Sequence, residues 1–280
     1  MQKFTQEDDL KEITGLKSGW SLADWNELWR YRDLFYFLVK RDLKARYAQS
    51  VLGVGWAVLR PVFTMIVFTV VFGKMIKVGS DGVPYAVFSY AALVPWTYFS
   101  SSVMASSASL VTSSEIWTKV YFPRLVIPIA PILSNLVDFG IALSILGGLM
   151  VWYGITPTCW AFAFPALTLM MMCTAAGMGM WFTALSVQYR DINYGMSFFV
   201  QLLIYAAPVV YPASSVPERF RMLYGIFPMA GVIEGFRASL LGTTPMPWSL
   251  IGVGAAVSVI LFMTGAWYFR RMERVFADVV

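Results

Sequence analysis

The chain has 280 residues, of which 58% are hydrophobic and only 13% charged, about half the usual charged share. A soluble domain of this length could not hide that much apolar surface, and the same figures exclude a disordered chain, so lipid is the solvent that fits. With no histidine, His-based triads, metal sites and proton relays are excluded, and a net charge of +5 in a membrane chain points to anionic lipid rather than nucleic acid.

Cys159 and Cys173 both lie in apolar stretches, which excludes zinc and disulfide frameworks. There is no G-x-x-x-x-G-K-[ST], and the pairs Gly53/Gly55, Gly177/Gly179 and Gly252/Gly254 lack the rest of a dinucleotide fingerprint. The chain carries no nucleotide engine, and no catalytic or metal-binding group is read from it.

The acidic run Gln6-Glu7-Asp8-Asp9 has no apolar segment behind it, unlike a signal peptide. Residues 24–44 are too polar to span a bilayer. At about 100° per residue, Trp25, Leu28, Trp29, Tyr31, Phe35, Tyr36, Leu38, Val39 and Leu43 share a face. Asn26, Glu27, Arg30, Asp33, Lys40, Arg41 and Lys44 share the opposite one, and Asp24-Trp25-Asn26-Glu27 reads as a capping box. The pattern predicts a helix lying in the inner-leaflet interface. Its alternative is a soluble helix packed on a cytoplasmic partner.

Charge-free runs at 82–114, 139–189, 192–217 and 238–269 locate the spans, each needing about 20 residues. The second run holds two helices broken at Gly154-Ile155-Thr156-Pro157-Thr158. With the less regular 51–73 and the segment after Val126, the expected all-α membrane fold has six spans, near 54–76, 86–111, 129–153, 160–186, 194–212 and 248–268. Lys and Arg concentrate in residues 1–50, the 112–125 and 188–195 loops and the tail, which predicts both termini in the cytoplasm. Three regions follow: a cytoplasmic N-terminus over 1–50, a membrane domain over 51–273 and a cytoplasmic tail over 269–280.

Arg60 and Asp138 are the charges expected at membrane depth. Arg60 either snorkels to the inner surface or meets an anion at a channel mouth, and Asp138 has use for a cation from a neighbouring helix. The 113–124 loop carries Trp117, Tyr121 and Phe122 among few charges, which suits either a surface for a cytoplasmic subunit or an interfacial anchor. Residues 213–242 are too charged to span and too apolar for a plain loop. Two short helices dipping into the outer leaflet account for them, with Gly231 and Gly235 allowing close approach and Glu234 pairing with Arg237 at i,i+3. An amphipathic loop resting on lipid is the alternative.

Several runs together resemble the permeases of ABC-2 type polysaccharide exporters. They are Trp29-Arg30-Tyr31-Arg32-Asp33-Leu34, Arg41-Asp42-Leu43-Lys44-Ala45-Arg46-Tyr47 and Val51-Leu52-Gly53-Val54-Gly55-Trp56 through Arg60-Pro61. Lys119-Val120-Tyr121-Phe122-Pro123-Arg124, Tyr189-Arg190-Asp191-Ile192 and Pro228-Met229-Ala230-Gly231-Val232-Ile233-Glu234-Gly235-Phe236-Arg237 follow in the same order. Arg60 departs from the family pattern, where a neutral Gln is expected.

The resemblance implies a non-enzymatic half-transporter in the cytoplasmic (inner) membrane, working as a homodimer with two copies of a separate ABC ATPase. ATP and Mg belong to that partner, and no cofactor to this chain. The cargo it implies is a lipid-linked glycan, O-antigen on undecaprenyl diphosphate first, with teichoic acid, capsular polysaccharide or a small lipid or drug as alternatives. By the same resemblance, Arg30, Asp33, Arg41 and Lys44 of the first helix couple to the ATPase. So do Glu115, Trp117, Lys119, Phe122 and Arg124 of the first cytoplasmic loop, and Arg190 and Asp191 of the second. Phe68, Phe72, Tyr85, Phe88, Trp96, Phe99, Phe198 and Tyr205 line the channel. Arg46 and Arg60 meet an anion at the inner mouth, and Gly231, Glu234, Gly235 and Arg237 belong to the re-entrant segment.

Overall fold

The computed structural model describes residues 31–48, 53–113, 122–189 and 191–279, and every element among them is helical. α1 covers Arg32–Tyr47. α2, Gly55–Phe68, widens into a π-helical turn over Thr69–Met75. α3 is Tyr85–Thr112, α4 Val126–Trp152, α5 Phe164–Gln188 behind a 3₁₀ turn at Cys159–Ala163, and α6 Asp191–Ala206. Two short helices follow, α7 at Glu218–Gly225 and α8 at Pro228–Phe236, the latter extended by a π-helical turn over Arg237–Leu241. α9 closes the chain at Trp248–Val279.

Four stretches among the described residues are long and apolar enough to cross a membrane: Gly55–Met75, Val126–Trp152, Cys159–Gln188 and Trp248–Glu273. The expected second and fifth spans differ for two physical reasons. α3 has the length, at 28 residues, but Ser89, Ser100–Ser102, Ser106, Ser107 and Ser109 dilute its hydropathy. α6 has 16 residues instead of the expected 194–212, which reach about 24 Å. Pro208 disfavours helical backbone in the residue before it, and the helix ends at Ala206.

α3 is the central helix. Its residues Val87–Trp96 are buried without interruption, while Thr97, Ser101, Met104 and Val111 further on are exposed. It runs antiparallel to α4, with Tyr98 Oη donating to Ile132 O at 3.0 Å, Asn135 Nδ2 to Ser102 Oγ at 3.1 Å and Ser106 Oγ to Pro128 O at 2.8 Å. Its serines thus serve as interhelical donors and acceptors. Thr183 and Ser186 of α5 likewise donate to Ser106 O and Ser107 O, at 2.7 Å each.

α5 and α9 run parallel and close. A Cβ added to Gly177 would lie 2.5 Å from the Leu261 carbonyl carbon, and one added to Gly265 would lie 2.4 Å from Gly177 O. Small residues at such crossings let backbones touch, which is the structural use of Gly177. α4 ends where expected. Gly154 takes a φ of +67°, and Ile155 N and Gly154 N donate back to Met150 O and Val151 O at 2.8 and 3.2 Å, a Schellman cap.

Candidate functional site: an inner cleft and a buried outer segment

α1 extends to Tyr47, past the expected end at residue 44. Its buried side chain, Leu38, sits on Val126 and Ala130 of α4. Eight residues on, Arg46 Nη1 forms an ion pair with Asp138 Oδ2, and Tyr47 Oη donates to Oδ1 of the same carboxylate. Arg46 Nη2 also faces Ser134 Oγ at 3.5 Å. α1 therefore climbs the first half of α4, and part of its apolar face is used against protein. Tyr36 and Phe37 remain exposed.

Asp138 lies midway along the apolar helix α4. A lone carboxylate at that depth is costly, and Arg46 is the cation that compensates it. The pair borders a cleft of about 180 Å³ between α1, α2, α3 and α4. Trp56, Arg60, Tyr98, Asn135 and Phe139 complete the parts of its wall that carry chemistry. The Arg60 guanidinium lies 5.8 Å from the Trp56 ring centroid. The cleft thus brings together both residues expected at an inner mouth, with Asp138 in the same wall. Sequence reasoning missed Tyr47, Trp56 and Asn135 as parts of it. Tyr47 fell beyond the amphipathic window, while Trp56 and Asn135 carry no charge to mark them among apolar neighbours.

The second site is the segment after α6. Because Pro208 ends that helix, the 207–212 backbone needs partners other than a helical ladder. Arg237 supplies them: Nη2 donates to Val209 O at 2.9 Å, Nη1 to Tyr211 O at 3.4 Å, and Nε to Phe88 O at 3.3 Å. Tyr85 Oη donates to Val210 O at 2.7 Å. Nη1 of Arg237 also pairs with Glu234 Oε1 at 2.9 Å, and that oxygen accepts from Ala213 N at 3.1 Å. The guanidinium is fully buried, 3.5 Å from the Phe88 ring centroid.

α8 is buried along its whole length. A Cβ on Gly231 would meet Leu250 O at 2.8 Å, and one on Gly235 would meet the Leu167 side chain at 2.9 Å. α7 is more exposed, although its Tyr224 donates to Tyr211 Oη at 3.2 Å and burial pushes that phenol's pKa well up.

The expected channel aromatics divide. Tyr85, Phe88, Trp96 and Phe99 are buried inside the chain. Phe88 lies beneath Arg237, and Phe99 lies against Phe227 at 6.2 Å. Phe68 and Phe72 meet edge to face at 5.4 Å and are half-buried. Phe198 and Tyr205 of α6 are open, at 64% and 66% exposure, beside exposed Tyr194 and Leu202. On α2, Trp56 and Phe63 are the open rings.

Of the expected coupling residues, Arg30, Glu115, Trp117, Lys119 and Arg190 lie outside the described residues. Asp33, Lys44 and Asp191 are exposed. Arg41 holds Asp42 at 2.8 Å and Ser113 Oγ at 3.2 Å, tying α1 to the end of α3. Phe122 and Arg124 turn inward, contrary to expectation. Phe122 joins the core, and Arg124 Nη1 donates to Glu273 O of α9 at 3.0 Å.

Comparison with known proteins gives a match of residues 33–241 to the ABC-2 type transporter family. The O-antigen export system permease protein RfbA of Myxococcus xanthus is 29% identical, over 91% of this chain and 98% of that protein. A Klebsiella pneumoniae protein of the same name is 26% identical, over 89% and 95%. The polysialic acid transport protein KpsM of Escherichia coli is 23% identical, over 84% and 92%.

Proposed function

The chain belongs to the ABC-2 type transporter family, and from that premise we propose that it is the permease subunit that exports a lipid-linked polysaccharide, O-antigen on undecaprenyl diphosphate, across the cytoplasmic membrane. One observation carries the reading: two relatives named as O-antigen export permeases align with about nine-tenths of the chain. The aligned region takes in both the inner cleft and the buried outer segment.

In this reading α3 and α6 also cross the bilayer, giving six spans with both termini in the cytoplasm. The first half of α3, Val87–Trp96, is covered by its neighbours, and α6 is continued by 207–212. α7 and α8 form the re-entrant outer segment. Two copies of the chain work with two copies of an ABC ATPase, which holds ATP and Mg. ATP binding closes the ATPases, and the motion enters through α1 (Asp33, Arg41, Lys44), the 113–124 loop and the turn at Arg190-Asp191. The basic groups Arg46 and Arg60 meet the diphosphate at the inner mouth, where planar guanidinium forks suit phosphate oxygens. Phe198 and Tyr205, with Phe68 and Phe72, offer rigid ring faces to a passing sugar chain. Tyr85, Phe88, Trp96 and Phe99 brace that surface from behind.

The test is to delete the gene in its host and follow the glycan. Polymer accumulating on the inner leaflet while the surface loses it is the expected result. Unchanged surface O-antigen with no inner build-up would overturn the reading. Loss of capsule or teichoic acid instead would move the cargo to the alternatives, among which the relative named as a polysialic acid transport protein favours a polysaccharide over a small lipid or drug.

A further inference from the structure

The hold of α1 on α4 has two parts. Leu38, the one fully buried side chain of the helix, packs with Leu34, Phe35 and Val39 on Val126 and Ala130. The C-terminal end is held by polar contacts, in which Arg46 and Tyr47 converge on the carboxylate of Asp138 and Arg46 also faces Ser134 Oγ at 3.5 Å. That pair is not sealed: the Arg46 and Asp138 side chains are 31% and 29% exposed, and both border the cleft. An incoming group reaches them without unfolding anything.

The charges in the cleft do not cancel. Arg46 and Arg60 supply two cations, and Asp138 is the carboxylate among the wall residues. Arg60 has no carboxylate within ion-pair distance among the described residues; what it faces is Trp56. A second anion placed between the two guanidiniums balances Arg60 and forms charge-assisted bonds with both. It also repels Asp138. Val94, Phe139 and Ala142 make part of the neighbouring wall apolar, which strengthens that repulsion relative to bulk water. The lower-energy outcome is for Arg46 to exchange partners and for α1 to separate from α4.

We propose that Asp138 is an internal competitor for the cargo's phosphate: a diphosphate-bearing lipid headgroup entering the cleft takes Arg46 from Asp138 and thereby frees the C-terminal end of α1 from α4. The proposal rests on the export reading above and deepens it, because α1 is the helix through which the ATPase is engaged. A permease wired this way reports an occupied inner mouth to its motor by a mechanical release.

The experiment is a binding measurement on the full complex with its ATPase in lipid nanodiscs, using undecaprenyl diphosphate as probe. Undecaprenyl monophosphate and phosphatidylglycerol serve as comparison anions. Competition fixes the sign. Asp138→Asn removes the competitor and is expected to tighten diphosphate binding about tenfold, within the usual range of coupling between sites. Arg46→Gln and Arg60→Gln are expected to weaken it. A residue that merely holds the fold would give weaker or unchanged binding for Asp138→Asn.

Tyr47→Phe removes one hold on the carboxylate while keeping its charge, and is expected to tighten binding about threefold by the same logic. It stands in if Asp138→Asn does not fold. Spin labels at Ala45→Cys and Val137→Cys, in a Cys159→Ser, Cys173→Ser background, report on the C-terminal end of α1, and their separation is expected to lengthen when the diphosphate binds. Weaker or unchanged binding in Asp138→Asn and Tyr47→Phe overturns the proposal, as does an unchanged label separation. Equal tightening for phosphatidylglycerol overturns its assignment to a diphosphate headgroup. Glycan export by the same complexes is read separately, so its loss in the unmodified protein counts against the export reading itself.

Discussion

A single arginine organises the part of the molecule between α6 and α8. Arg237 is wholly buried, yet each bond it makes answers a need created nearby: the carbonyls of Val209 and Tyr211 beyond the broken end of α6, and the carboxylate of Glu234. Removing one partner of a buried pair strands the other charge and costs about 3–5 kcal/mol. Arg237→Met is therefore expected to lower the thermal midpoint of the detergent-solubilised protein sharply. Glu234→Gln with Arg237→Met should recover part of that loss, because the carboxylate is no longer stranded while the 207–212 carbonyls remain bare. The i,i+3 spacing made the Glu234–Arg237 pair legible in the sequence. The partner of Arg237 on α3 was not legible, because Phe88 is 149 residues away and nothing local marks it. Asp138 shows the same limit. Its need for a cation was readable from its apolar surroundings, whereas the identity of that cation depended on α1 climbing α4.

Among the elements, contact geometry separates glycines that composition could not. Gly177 sits against the backbone of α9, whereas Gly147 of α4 has nothing within 4 Å of an added Cβ. Gly177→Ala should destabilise the protein toward the upper end of the 1–3 kcal/mol typical of overpacking, about 3 kcal/mol. Gly147→Ala should be neutral or gain up to about 1 kcal/mol from helix propensity. Thermal unfolding of the two variants in one detergent makes the comparison. In the centre, Tyr98→Phe removes the donor to Ile132 O and should cost about 1 kcal/mol. The helices themselves were largely readable, since charge-free runs and Gly/Pro punctuation mark them, down to the Schellman cap at Gly154. Their surroundings were not. The helical spacing of Tyr85, Phe88, Trp96 and Phe99 gives a stripe, but a stripe cannot say whether it faces a channel or other helices, and here these four rings are buried among neighbouring helices. The end of α6 was misplaced because hydropathy continues beyond Pro208 while helical backbone does not.

For the whole molecule, a polar cleft opens among α1, α2, α3 and α4, a tightly bonded non-helical segment follows α6, and open aromatic rings lie on α2 and α6. That arrangement suits cargo with a charged head and a long sugar chain. The direct measurement is reconstituted transport. The chain and its partner ATPase are placed in sealed vesicles, lipid-linked O-antigen is supplied on the ATPase side, and glycan reaching the protected side is followed with and without ATP. The account predicts ATP-dependent transfer of the long glycan. Steady ATP hydrolysis with no glycan crossing, while a short lipid or drug does cross, would contradict it.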